Sequence, residues 1–150
     1  MEEQSKKLPR IVDIPEKMQK RFGKGKMLIP KPLDVEAVIK KVPRGKLITQ
    51  QQIREMLATK FKVKVTCPIT TGIFVRMIAN AAEEERELGK ENITPWWRVV
   101  KNDGSLNEKF PGSGELQKKL LEKEGHKIVC RGKKYVVVDF FRFVIWDNTL

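Results

Sequence analysis

Thr94–Leu106 limits the possible folds of this chain more than any other stretch. It reads Thr-Pro-Trp-Trp-Arg-Val-Val-Lys-Asn-Asp-Gly-Ser-Leu and holds two of the three tryptophans. Pro95 fixes the backbone on entry. Val99-Val100 is a β-branched pair suited to a short strand. Asn102-Asp103-Gly104-Ser105 has the composition of a tight turn. Proline, strand and turn together describe a loop of fixed shape, and its centre is the adjacent pair Trp96-Trp97.

The order of these residues resembles the active-site loop of the O6-alkylguanine-DNA alkyltransferases, which reads Pro-Cys-His-Arg-Val-Val, a few residues, then Gly. Pro95, Arg98, Val99, Val100 and Gly104 keep that pattern. Trp96 stands where the family places its alkyl-accepting cysteine, and Trp97 where it places the histidine. Tryptophan at the cysteine position marks the alkyltransferase-like branch, similar in fold but without alkyl transfer. Val42-Pro43-Arg44-Gly45-Lys46 resembles the family's entry motif, and Asp103-Gly104-Ser105-Leu106 its turn after the loop. Leu120-Leu121-Glu122-Lys123-Glu124-Gly125 resembles its closing helix, which places Glu124 at the carboxylate of the cysteine–histidine relay. The resemblance spans roughly Val35 to Ile128. It implies an α+β, mostly helical domain: a winged helix-turn-helix of the alkyltransferase C-terminal type with a C-terminal β-hairpin. Duplex DNA is the implied partner, with DNA repair proteins as further ones.

The chain also departs from the family. Gln50 replaces the tyrosine that presses on the target phosphate, and Ala79-Asn80 replace a glycine pair in the recognition helix. Arg76 aligns with the arginine that takes the place of a flipped base, but the segment from it to Trp96 is longer. The Asn-Pro before the loop is not clearly present, and Glu83-Glu84-Glu85 would repel phosphates.

Hydrophobic spacing gives the elements. Residues 1–33 are basic and punctuated by Pro9, Pro15, Pro30 and Pro32, so a solvated cationic arm is expected, with a short helix over Glu16–Phe22. Asp34 is placed as the cap of a helix whose apolar face is Val35, Val38, Ile39 and Val42. Thr49 with Gln52 fits a capping box, and Ile53, Met56, Leu57 and Phe61 follow at helical spacing. Lys62–Pro68 is expected as a loop. Thr70-Thr71-Gly72 opens the next helix, with Ile73, Phe74, Met77, Ile78 and Ala81 as the buried face and Arg76, Ala79, Asn80 and Glu83 opposite. Gly89 stops it. A helix over Glu115–Glu124 buries Leu116, Leu120 and Leu121. His126–Cys130 and Lys134–Asp139 form a hairpin about Arg131-Gly132-Lys133. The units expected are an arm over 1–33, a DNA-binding domain over 34–139, and an aromatic tail over 140–150 packed on the core.

Charge identifies the partner class. Net +12 over 150 residues favours a polyanion, nucleic acid first and an acidic membrane surface second. No apolar run is long enough to span a bilayer and the amino terminus has no signal-peptide core, so a cytoplasmic monomer is expected. Cys67 and Cys130 form no metal-type pair, and no metal or cofactor is expected.

Stoichiometric dealkylation needs a thiolate and a base to generate it. Indole has an N–H donor and no useful basicity, so Trp96 and Trp97 exclude that chemistry at this loop. Trp96 either stacks on an extruded base or plugs the vacated pocket; Trp97 plugs it. The residues expected at DNA are Gln50, Lys46, Lys60, Arg76, Asn80, Trp96 and Arg98. Glu124 is read as a solvated or capping carboxylate, His126 as structural, and Cys67 as a small buried residue. The first reading is a non-catalytic alkyltransferase-like protein that recognises alkylated or flipped guanine in duplex DNA and marks it for another pathway. The alternatives are a winged-helix regulator or architectural protein with no lesion preference, and an enzyme using Cys67 as a relocated acceptor.

Overall fold

The computed structural model describes residues 7–145. Chain order gives β1 (Arg10–Asp13), α1 (Glu16–Phe22), β2 (Lys26–Ile29), α2 (Pro32–Lys40), β3 (Ile48–Thr49), α3 (Gln50–Phe61), β4 (Val65–Thr66) and α4 (Pro68–Glu87). A 3₁₀ turn over Trp96–Arg98 precedes β5 (Val99–Val100), α5 (Glu115–Lys123), β6 (Ile128–Arg131), β7 (Lys134–Val137) and α6 (Phe140–Phe143). The result is α+β and mostly helical, with three small sheets: β1-β2-β4, β3-β5 and the β6-β7 hairpin.

The main core joins α2, α3 and α4 beneath the tryptophan loop. Val35, Val38, Ile39 and Val42 are all buried in it, as their spacing requires. Pro32 rather than Asp34 starts α2. Proline is favoured at a first helical position, and Asp34 two residues later accepts the Lys31 backbone N–H at 3.1 Å. At α3 the expected capping box forms: Thr49 Oγ1 accepts from Gln52 N at 3.1 Å, and Gln52 Oε1 accepts from Thr49 N at 2.9 Å.

α4 is rotated from its expected setting. Its buried residues are Thr71, Val75, Ile78, Ala79 and Ala82, whereas Ile73 and Met77 are about half exposed and Ala81 lies at the surface. Two stripes at helical spacing compete on this helix. The one with Ala79 and Ala82 faces the core, where small side chains let α2 come close. α4 also starts earlier than expected, at Pro68, with Thr71 Oγ1 donating to the Cys67 carbonyl at 2.7 Å.

The arm expected over 1–33 is folded in its described part. β1 and β2 pair antiparallel, from Arg10↔Ile29 to Asp13↔Lys26. β2 then pairs in parallel with β4, Met27↔Val65 and Leu28↔Thr66, inside what reads as the Lys62–Pro68 loop. Ile14 and Met27 pack on Cys67, and Leu28 belongs to the main core. Two short strands separated by a proline and a basic helix carry little periodic signal, and β4 is recognisable only from its partner.

At the other end α6 and Val144 return to the core. Leu47 N–H donates to the Phe143 carbonyl, and Ile145 N–H to the Leu47 carbonyl, both at 2.9 Å. The part of the expected aromatic tail beyond Ile145 lies outside the described residues. Gly104 shows why this docking demands glycine: its φ is +84°, and a Cβ there would lie 2.4 Å from Phe140 Cδ1.

Candidate nucleic-acid interface

Pro95 is buried and leads into the 3₁₀ turn that turns Trp96 and Trp97 in different directions. Trp96 is completely buried. Its ring meets Trp97 and Phe110 edge-on, at centroid distances of 6.1 and 5.7 Å, and its Nε1–H donates to Glu83 Oε2 at 2.8 Å. Glu83 is held in turn by Arg86, with Nε–O distances of 3.0 and 3.2 Å. The first of the three glutamates thus turns inward to an indole donor. The loop's backbone is strapped from α5 by Gln117, itself fully buried, whose Nε2 donates to the Trp97 and Val99 carbonyls at 3.1 and 2.8 Å. Glu83 is expected on the solvent face and instead turns to Trp96, and Arg86 and Gln117 escape a reading of the sequence. Only Gln117 leaves a trace there, an amide between Leu116 and Leu120 on the apolar side of its helix.

Glu124 is not the solvated carboxylate expected. Its side chain is 3% exposed and forms an ion pair with Arg98 at 2.8 Å. It also accepts from Trp97 Nε1 at 2.8 Å and from the Gly45 backbone N–H at 2.9 Å. Burial pushes its pKa up, but the bonds from Arg98, Gly45 and Trp97 outweigh that and hold it below the usual glutamate range. Arg98 further donates to the Val42 carbonyl at 2.7 Å. This guanidinium, expected at DNA, is therefore committed internally to the entry motif and the closing helix. Beside it His126 is buried with neither ring nitrogen hydrogen-bonded, its ring edge-on to Phe143 at 4.8 Å. Burial lowers its pKa, and Glu124 opposes the shift.

The exposed surface next to this network is the outer stripe of α4. Ile69, Ile73, Arg76, Met77 and Asn80 all face solvent there. A cavity of about 360 Å³ lies between that stripe, Gln50 at the start of α3, and Asn107 and Lys109. The structure thus brings Gln50 and Arg76 together, with Asn80 one turn further along α4. Lys46 is exposed beside Gly45, outside this cavity. Lys60 lines a separate groove with Asp34, Lys41 and Met56. Trp96 presents no open face to the cavity. Cys67 is 6% exposed beneath the β1-β2 layer, its Sγ accepting from Thr70 Oγ1 at 3.3 Å. Among the described residues no three His, Cys, Asp or Glu side chains cluster as metal ligands, and no helix is long and apolar enough to cross a membrane.

Helices α3 and α4, the tryptophan turn and the closing α5 define an α+β protein of the alkyltransferase type. Residues 32–126 match the family described as 6-O-methylguanine DNA methyltransferase, DNA binding domain, and the chain belongs to that family. Its fold is similar to that of S. pombe Atl1 in a crystal structure with damaged DNA containing O6-carboxymethylguanine. That likeness has a TM-score of 0.51 and 20% identity, covering 77% of this chain and 94% of that one. A second structure, of S. pombe ATL in complex with DNA, gives a TM-score of 0.55 at the same identity and coverage. A search of curated proteins finds no significant match.

Proposed function

We propose that this chain is a non-catalytic, alkyltransferase-like DNA-binding protein that recognises alkylated or flipped guanine in duplex DNA and marks it for another repair pathway. The observation that carries this reading is Trp96, which stands at the acceptor position with its N–H bonded to Glu83. No nucleophile remains there, and Trp97 donates to Glu124 instead of serving as its base. Family membership and the net charge of +12, with Arg76 and Lys109 at the open cavity beside α4, supply the DNA-binding part. The unit that binds is residues 34–139, acting in the cytoplasm as a monomer. Damaged bases flip at the least expense, so selectivity arises without chemistry. The base is received at the cavity of Gln50, Ile73, Arg76 and Lys109, with Asn80 at its margin. Lys46 and Lys60 contribute charge at the periphery, while Arg98 holds the loop from inside.

Matched duplexes with and without O6-methylguanine test this directly. Wild type is expected to bind the lesion duplex more tightly and to remove no methyl group from it. Trp96→Cys alone is expected to stay nearly inactive, because Trp97 cannot deprotonate the new thiol. Methyl transfer by either protein contradicts the proposal. Equal affinity for both duplexes favours the second reading, a winged-helix regulator or architectural binder. The complete burial of Trp96 is the observation on that side, since a stacking face is then available only after the turn moves. The buried Cys67 argues against a relocated acceptor, and a mass gain on it after incubation with alkylated DNA would support one.

A further inference from the structure

The groove between α1 and α3 is a second cationic site on the molecule, separate from the α4 surface. It has a volume of about 310 Å³, and its charged lining is Arg21, Arg54, Lys64 and Glu55. The one carboxylate is partly occupied, accepting from Gln51 Nε2 at 2.8 Å. Among the described residues neither Arg21 nor Arg54 has a hydrogen-bond partner for its guanidinium. Lys64 lies across the Gly23–Gly25 turn, its Nζ donating to the Lys24 carbonyl at 3.2 Å. Lys20 and Lys24 add exposed charge alongside.

This site is built on a rigid platform. Thr66 Oγ1 donates to the Arg54 carbonyl at 2.7 Å, β4 pairs with β2, and Phe22 packs with Ile14, Met27 and Cys67. Arg21 and Arg54 line one groove, where like charges stand at an electrostatic disadvantage that the single carboxylate Glu55 offsets only in part. Burial first, and then Arg21, make the charge of Arg54 less favourable, with Glu55 and Cys67 opposing. An incoming phosphate relieves that. The groove also adjoins the proposed DNA surface. Gln51 lines it, while Gln50, one residue earlier in the same first turn of α3, lines the α4 cavity. Residues 7–31 carry eight Lys/Arg against two Asp/Glu, half of the chain's excess charge in a sixth of its length. All of this segment lies outside the family match at 32–126.

We infer that the α1–α3 groove binds backbone phosphates of the same duplex, flanking the site read by α4, and so extends the DNA footprint beyond the family domain. This rests on the DNA-binding reading above. Its occupant is a phosphodiester, recognised by charge and by the guanidinium fork without base readout.

The test compares wild type with Arg21→Gln and with the double variant Arg21→Gln/Arg54→Gln. Binding is measured against salt on a short duplex spanning only the helix-turn-helix footprint and on one extended to both sides. Arg21 is exposed, so its single variant keeps the fold even if loss of Arg54 does not. The plot of log K against log salt is expected to flatten by about 0.9 for each phosphate no longer neutralised, on the extended duplex only. The ratio of lesion to matched affinity should stay as in wild type. Identical slopes for wild type and variants on the extended duplex would overturn the inference while leaving DNA binding intact. No salt-dependent duplex binding by wild type would overturn the functional reading and this inference together. A thermal shift with inorganic phosphate that Arg21→Gln abolishes, without any change in duplex slope, would assign the groove to a small anion and overturn it.

Discussion

Removing the Arg98 guanidinium takes the ion-pair partner from a glutamate that stays buried. Such a break typically loses about 3–5 kcal/mol, so Arg98→Ala should lower urea stability by roughly that amount. Arg98→Lys should recover only part, because an ammonium cannot reproduce the fork spanning both Glu124 oxygens and the Val42 carbonyl. The neighbouring His126 predicts a pH response. Its folded pKa is depressed, so below about 6.5 the unfolded chain takes up the proton first and stability falls. His126 is the chain's one histidine. His126→Phe should therefore flatten the melting temperature between about pH 5 and 7, measured by circular dichroism. Glu124 acts lower: with its pKa depressed, its contribution is lost as pH falls through the carboxylate range below about 4.3. The position of Glu124 was legible in the sequence through its neighbours Leu120, Leu121 and Gly125. Its work was not, since its donor Gly45 lies 79 residues away. Trp96 reads similarly. Either role was open to it, and in a fully buried setting Trp96→Ala carries a cavity penalty of about 3–5 kcal/mol. That makes it a poor selective probe of lesion preference.

Helix α4 shows how periodicity placed an element correctly and its face only in part: Phe74 and Ile78 turn inward as expected, whereas Ile73, Met77 and Ala81 do not. Ile73, Met77 and Ala81 make one stripe; Val75, Ile78, Ala79 and Ala82 make the other, and both satisfy helical spacing. The larger side chains suggested the first, whereas close approach of α2 selects the second. Substitutions separate the two directly. Ala79→Leu should destabilise by about 1–3 kcal/mol through overpacking, whereas Met77→Ala, half exposed, should stay within about 0.5 kcal/mol, both read from urea midpoints. If the outer stripe meets DNA, Arg76→Ala should weaken lesion binding more than Lys60→Ala, which sits on a different groove. α2, α3 and α5 were legible because each carries one dominant apolar stripe, and α3 a capping box as well. β5 was legible from the pair Val99-Val100, whereas β4 was not, because nothing but its partner β2 defines that two-residue strand.

At the scale of the whole molecule, charge and topology were legible to different degrees. Net +12 pointed to a polyanion without saying where it would lie, and the β1-β2-β4 sheet then fixed part of that charge in place. The order of the family motifs fixed the helical core, while the way β1-β2 and α6 close on it depended on contacts far apart in sequence. Leu47 bonds on both backbone sides to the end of α6 and the residues just after it, nearly a hundred residues later. A ribosome delivers residue 47 long before residue 145, so during synthesis this edge remains an open docking point until the segment around Phe143–Ile145 has been made. Distant closure of this kind slows folding. Nascent chains arrested after Asp139 should accordingly be cut by protease near Leu47, and chains arrested once Ile145 has cleared the exit tunnel should resist it.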